Sequence, residues 1–323
     1  MGKKDTLTKQ YLAQDEIFAD AFNYFLFNGE KVINSDDLRE QDATELAIIQ
    51  KMGKVFASQK MRDVLKLCTI KHSDMATLVL MGIEGQANIH YAMPVRDYLY
   101  DALNYASQVE AFRKKHEEDN DLVGDEKLSG FSKEDRILPV ITLCICFDKK
   151  KWDAPRSLFD MFGNVDPRIR KYVDDYKLNL ITPEEIRDFS KFTSELGMVL
   201  EFIHNSDDKK KLRDIIISRK DESVDVRTVD MINSYTGANI STKNAKGGQI
   251  KVCQALKEIM EDERTEGRAE GHAQGRAQGR AEGADMLARL LKAITPENKD
   301  FNKALNATEK ERKRLYKKYG IID

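Results

Sequence analysis

Glu84 and Gln86 stand one position apart at the end of the apolar run "TLVLMGIEGQ". Side chains alternate across a strand, so this carboxylate and carboxamide point the same way, and Gly82 on their face leaves room beside them. A second strand-like run, "DVLKLCTI", begins at Asp63. If the two strands are neighbours, Asp63 presents another carboxylate close to Glu84. Two carboxylates from adjacent strand ends make a hard-oxygen set suited to Mg²⁺. Such a cation polarises a phosphodiester and generates an attacking hydroxide. The plainer alternative is that Glu84 marks where the strand emerges into water, and a Glu-x-Gln spacing alone does not separate the two.

The elements that must position these residues follow from periodicity. "DEIFADAFNYFLF" (15–27) places Ile17, Phe18, Ala21, Phe22, Phe25 and Leu26 on one helical face, with Gly29 as its stop. Asp20 falls on the opposite side, which periodicity alone reads as solvated. "LAIIQ" (46–50) has the character of a short strand. The runs 63–70 and 77–84 read as strands, the second apolar on both faces and hence central. Pro94 suits the first turn of a helix over about 94–116, and Asp97 is favourable there. "RILPVITLCICF" (136–147) reads as another buried strand and "KLNLI" (177–181) as one more. From 182 the chain turns helical, over 183–204, 207–219 and 225–235, with Thr182, Pro183 and Glu185 forming the start signal and Gly237 a stop.

Other polar residues invite smaller readings. Arg96 stands in the first turn of its helix, where the dipole disfavours a cation. That placement calls for a partner, either a carboxylate or a phosphate. His90 shares strand parity with Gln86, yet a hydrogen-bonded structural histidine explains it as well. Trp152 beside "KKK" offers either a base-stacking surface or a core anchor. The four cysteines, Cys68, Cys144, Cys146 and Cys253, lack the spacing of a zinc site and read as structural thiols.

The chain has 323 residues, a net charge of −2 and 33% charged residues, the profile of a globular protein with a wet surface rather than of a strongly basic nucleic-acid binder. No apolar run is long enough for a membrane span and no signal sequence opens the chain, so a cytoplasmic location without membrane contact is expected. Near the C-terminus, "TEGRAEGHAQGRAQGRAEGA" repeats Gly at 267, 271, 275, 279 and 283. Each Gly costs a helix about 1 kcal/mol relative to Ala. No Glu–Arg pair in the repeat has helical spacing to offset it. The repeat is thus a poor isolated helix. It reads either as a flexible extension or as a helix whose small faces let copies of the chain approach.

The succession of Asp63, "GIEGQANIHYAMPVRDYLYDALNYASQV", "ILPVITLCICFDKKKWDAPRSL", "MINSYTG" and the glycine-repeat tail resembles the recombination-promoting nuclease/putative transposase family. That family belongs to the PD-(D/E)XK nuclease superfamily. The block from Ile83 to Gln108 is the most specific part. The resemblance implies an α/β fold with the element order α-β-β-β-α-β around a small mixed sheet. It divides the chain into a nuclease-like domain (1–165), a helical segment (166–260) and a glycine-repeat extension with a C-terminal helix (261–323). It implies a metal-dependent DNA endonuclease, using Mg²⁺ or Mn²⁺ on Asp63 and Glu84. Gln86 stands where the superfamily usually has Lys. The acidic residue of the first helix maps to Asp20 or, less well, Glu16, and Arg96 is a further candidate. Gln supplies no charge and no base near neutral pH but can orient a water. The alternative is a DNA-binding or assembly protein on a nuclease fold with little cleavage. The expected partners are DNA and, through the C-terminal region, other copies of the chain.

Overall fold

The computed structural model describes residues 2–40, 63–72, 75–243 and 245–322. The expected strand at 46–50 lies outside the described residues.

The apolar run around Val79–Ile83 becomes the centre of a five-stranded mixed sheet of order β1-β2-β3-β4-β5. The strands are β1 (Leu38–Glu40), β2 (Val64–His72), β3 (Met75–Gln86), β4 (Val140–Cys146) and β5 (Asn179–Ile181). β2 runs antiparallel to β1 and β3, with Val64 opposite Ile83 and Leu65 opposite Gly82. β4 is parallel to β3, with Glu84 beside Cys144 and Gln86 beside Cys146, and β5 is parallel to β4. Parallel neighbours need a crossover. The β3–β4 crossover contains the helix α3 (Met93–Asp119), which opens with Pro94 in its first turn as the sequence indicates.

Helices cover both faces, which is why β3 and β4 are apolar on both. Glu84 reaches α3 on one face. On the other, Lys66 Nζ donates to the carbonyl of Ala13 and pairs with Asp15, between α1 (Lys3–Leu12) and α2 (Asp15–Phe27). α2 buries Ile17, Phe18, Ala21 and Phe22, the face its periodicity indicates. It ends at Asn28 in the left-handed conformation (φ 55°), followed by Gly29 (φ 91°).

Beyond β5 the chain is mainly helical, but less continuously than expected, and it includes a two-stranded antiparallel sheet, Ser223–Asp225 with Gln249–Lys251. Residues 183–195 form two 3₁₀ turns, Pro183–Glu185 and Phe189–Lys191, before α4 (Leu196–His204) begins. The start signal at Thr182 makes no side-chain cap. Asp188 instead accepts from the backbone of Ser190, and Asp20 from that of Thr193 and Ser194. Such side chain–backbone bonds compete with a helical ladder. α5 (Lys209–Ser218) and α6 (Val226–Thr236) match the expected spans, α6 capped by Asp225 and closed by Gly237 at φ 73°.

The chain forms two compact units, 1–256 and 257–323. The glycine repeat lies within α7 (Val252–Ala293), a 42-residue helix that supplies much of the second unit. Helix nucleation is the costly step, and the better helix formers flanking the repeat carry that cost for it. Leu290 and Ile294 pack with Ala304, Leu315 and Tyr316 from two short helices, α8 (Lys299–Asn306) and α9 (Glu309–Lys318), forming a small core. Among the described residues no helix is long and apolar enough to cross a membrane.

Candidate functional site

The register that pairs Val64 with Ile83 sets Asp63, the residue before β2, against the end of β3. There the two predicted carboxylates interlock through the backbone. The Asp63 N–H donates to Glu84 Oε1 at 3.2 Å, and the Gly85 N–H donates to Asp63 Oδ2 at 3.0 Å. Glu84 is fully buried and Asp63 is 9% exposed.

Arg96 closes the arrangement from α3. Its Nη2 donates to Glu84 Oε2 at 2.9 Å, and its Nε to the Tyr100 hydroxyl at 3.1 Å. Arg96 thus meets a carboxylate, one of the two partners the sequence leaves open for it. Burial works against the Arg96 charge, but Glu84 and Tyr100 outweigh it and hold the guanidinium above its ordinary pKa. Gln86 Nε2 makes a long contact of 3.5 Å to the same Glu84 oxygen. The Glu84-Gln86 spacing therefore does set both side chains on one face.

Asp63, Gln86 and Arg96 line a cleft of about 340 Å³ at the end of β3, together with Asp5 and His90 among others, and Glu84 lies buried behind them. Burial is the first cause that lifts the Asp63 carboxyl above the usual carboxylate range, and Asp5 adds to it. The bond from Gly85 and the charges of Lys9 and Arg96 pull the other way. His90 is held below its ordinary pKa, chiefly by burial and then by Arg96, so it is neutral at pH 7. Its Nδ1 is buried without a hydrogen-bond partner.

Two contributors escape the sequence reading. Helix α1 brings Asp5 to the cleft, although its low apolar content gives no helical stripe. Gly85 is the second. A Cβ there would lie 2.6 Å from Thr8 Cγ2 and 2.8 Å from Leu12 Cδ1, so the absent side chain lets α1 lie against the strand end. Only its place between Glu84 and Gln86, on the opposite face, hints at this.

Asp20 does not join the cleft residues. It is 2% exposed, and its two oxygens accept from the backbone and hydroxyl groups of Thr193 and Ser194. This carboxylate ties α2 to the start of α4. Trp152 packs with Met93, Cys144 and Cys146 and anchors the core. Cys68, Cys144 and Cys146 are buried free thiols, and burial raises the pKa of each. Among the described residues no group of three or more His, Cys, Asp and Glu side chains is gathered to hold a metal. Comparison with known proteins returns nothing: no family model, curated protein or solved structure matches the chain.

Proposed function

We propose that the cleft at the end of β3 hydrolyses phosphodiester bonds in DNA, with Mg²⁺ or Mn²⁺ held by Asp63 and Glu84. The observation that carries this reading is the interlock of those two carboxylates beside a cleft that Asp63 lines. The element order α2-β1-β2-β3-α3-β4 is compatible with the PD-(D/E)XK core that the sequence resembles.

Asp63 and Glu84 offer carboxylate oxygens to a hard cation, which would share Glu84 with the Asp63 N–H and Arg96. On the cleft lining Asp5 and Asp63 outnumber Arg96, which is itself paired with the buried Glu84, and Asp63 is already pushed toward its neutral form. A bound cation would relieve that imbalance, with water completing its coordination. When bound, it polarises the phosphodiester and makes water a better nucleophile. The chain's own part is to orient and to bind. Gln86 can align a water through its carboxamide, without taking its proton. Arg96 has donors beyond those used on Glu84 and Tyr100, and these can hold a phosphate oxygen.

Relaxation of supercoiled plasmid in Mg²⁺ tests the proposal, comparing the wild type with Asp63→Asn and Glu84→Gln. Rates should fall by about 100-fold or more in each, the scale of losing a principal electrostatic contributor. Unchanged rates in both remove these residues from the chemistry.

A second reading, DNA binding with little or no cleavage, draws on the Arg96–Glu84 ion pair, which supplies Glu84 with a cation from the chain itself. A binder of this kind shifts DNA in a gel equally with Asp63 intact or replaced.

A further inference from the structure

The second unit segregates charge. Residues 299–319 carry eight lysines and arginines against three carboxylates, in a chain whose net charge is −2. They form α8 and α9, which share a small core with Leu290 and Ile294. The sequence of α9, "EKERKRLYKK", puts Lys310, Lys313, Arg314 and Lys317 at i, i+3, i+4 and i+7. Those spacings share one helical face. Leu315 and Tyr316 turn the opposite side of the helix into the core, so the cationic face looks outward, and all four of its residues are exposed.

The carboxylates of the two helices do not neutralise that face. Asp300 is held by Lys318 Nζ at 2.5 Å and by the Tyr319 hydroxyl at 3.0 Å. Glu311 accepts from the hydroxyl and backbone N–H of Thr308 in the capping box that opens α9. Those bonds, then Lys303 and Arg314, hold the Glu311 carboxyl below the usual carboxylate range, so Lys303 of α8 adds a fifth cation nearby. Glu309 borders the face and lies 3.7 Å from Lys313, both side chains exposed. Such exposed pairs contribute little. Among the described residues Lys310, Arg314 and Lys317 make no ion pair.

Like charges gathered on one face repel one another, and a polyanion laid along the face relieves that repulsion. From Lys310 to Lys317 the helix advances about 10 Å, over which one strand of duplex DNA presents about three phosphates. All four members of the face are cations at the ends of flexible stems, suited to phosphates rather than to reading base edges as a fixed set.

We infer that the outer face of α9 binds the phosphate backbone of duplex DNA without sequence preference, a contact separate from the cleft. The choice of DNA among polyanions rests on the proposed chemistry of the cleft, whereas the cationic face does not.

Fluorescence anisotropy of a labelled duplex tests this with the full chain, in EDTA so that cation-dependent cleavage does not intervene. Affinity is followed between about 50 and 200 mM KCl. The wild type is expected to bind, and Lys310→Gln/Arg314→Gln/Lys317→Gln to weaken binding about tenfold or more and lower the logarithmic salt slope by about 2 to 3. Two controls should keep the wild-type slope. The charge-conserving Lys310→Arg/Arg314→Lys/Lys317→Arg changes the same positions, and Lys149→Gln/Lys150→Gln/Lys151→Gln removes the same charge from the first unit. Asp63→Asn should bind as the wild type does, so failure of the cleft chemistry and failure of the α9 contact are read separately. The inference is overturned by a wild type that does not bind the duplex, by a slope that the α9 Gln variant leaves unchanged, or by an equal fall in either control. Tighter binding of phosphatidylserine vesicles than of DNA through the same three residues also overturns it.

Discussion

The two ends of α3 handle polar groups in opposite ways. At the N-terminal end, Arg96 meets Glu84 and Tyr100, and each charged partner lies within a bonded network. One turn beyond Tyr100, Asn104 keeps a carbonyl oxygen buried without a partner, next to an apolar cavity. A single helix thus provides a charged site whose members depend on one another and an apolar setting with one unmet polar requirement. Removing a member from the first leaves a buried charge behind, whereas removing the polar atom from the second leaves nothing unsatisfied.

The largest effect on stability is therefore expected from Arg96→Met. It takes the cationic partner from the fully buried Glu84, and denaturant unfolding should show a loss of about 3 kcal/mol. Added Mg²⁺ should restore part of it, because a bound cation replaces the missing charge. A loss that Mg²⁺ leaves untouched would separate the ion pair from cation binding.

Gly85→Ala comes next. The new methyl must push the Thr8 and Leu12 side chains away from the strand end, so α1 shifts or strains. A loss of about 2 kcal/mol is expected, as for overpacking in a filled core. Stability equal to wild type would mean that α1 yields easily there.

Asp63→Asn gives a smaller effect with a definite sign. Burial raises the folded-state pKa of Asp63, so the neutral form is the one the fold favours. Wild-type stability accordingly falls as pH rises from the ordinary carboxylate pKa of about 3.9 through the raised value. Asparagine does not ionise and escapes this loss. Melting curves should place the variant about 1–2 °C above wild type at pH 7, with the gap closing at pH 3. A gap that widens toward acid would mean that Asp63 is stabilised as a charge.

The smallest effect belongs to the other end of α3. Asn104→Leu gives up one hydrogen bond to Tyr100 but removes the orphaned oxygen, so stability should stay within about 1 kcal/mol of wild type. A loss as large as that of Arg96→Met would erase the contrast between the two ends.

Much of this architecture is legible in the sequence because its signals are local. Alternation at 63–70, the two-sided apolar run before Glu84 and the 3.6-residue stripe of 15–27 each follow from which faces are buried. Asp63 and Glu84 come together if their strands are neighbours, and the register pairs those strands. Non-local partners are another matter. Asp20 sits opposite the apolar stripe, yet it is buried because Thr193 and Ser194 come to it from 173 and 174 residues away. Gly85 is explained only by Thr8 and Leu12, and the break at 183–195 only by bonds that Asp188 and Asp20 make to the backbone. In the tail, the penalty for each glycine was legible, whereas the support from flanking helix formers acts across the whole of α7.

The central claim is that Asp63 and Glu84 together hold one divalent cation. Calorimetric titration of Mn²⁺ into the full chain tests it most directly, with wild type, Asp63→Asn and Glu84→Gln compared at pH 7. The account predicts one site in the wild type, weakened by about 10-fold or more in each variant. A wild type that binds no cation, or variants that bind it as tightly as the wild type does, would contradict it.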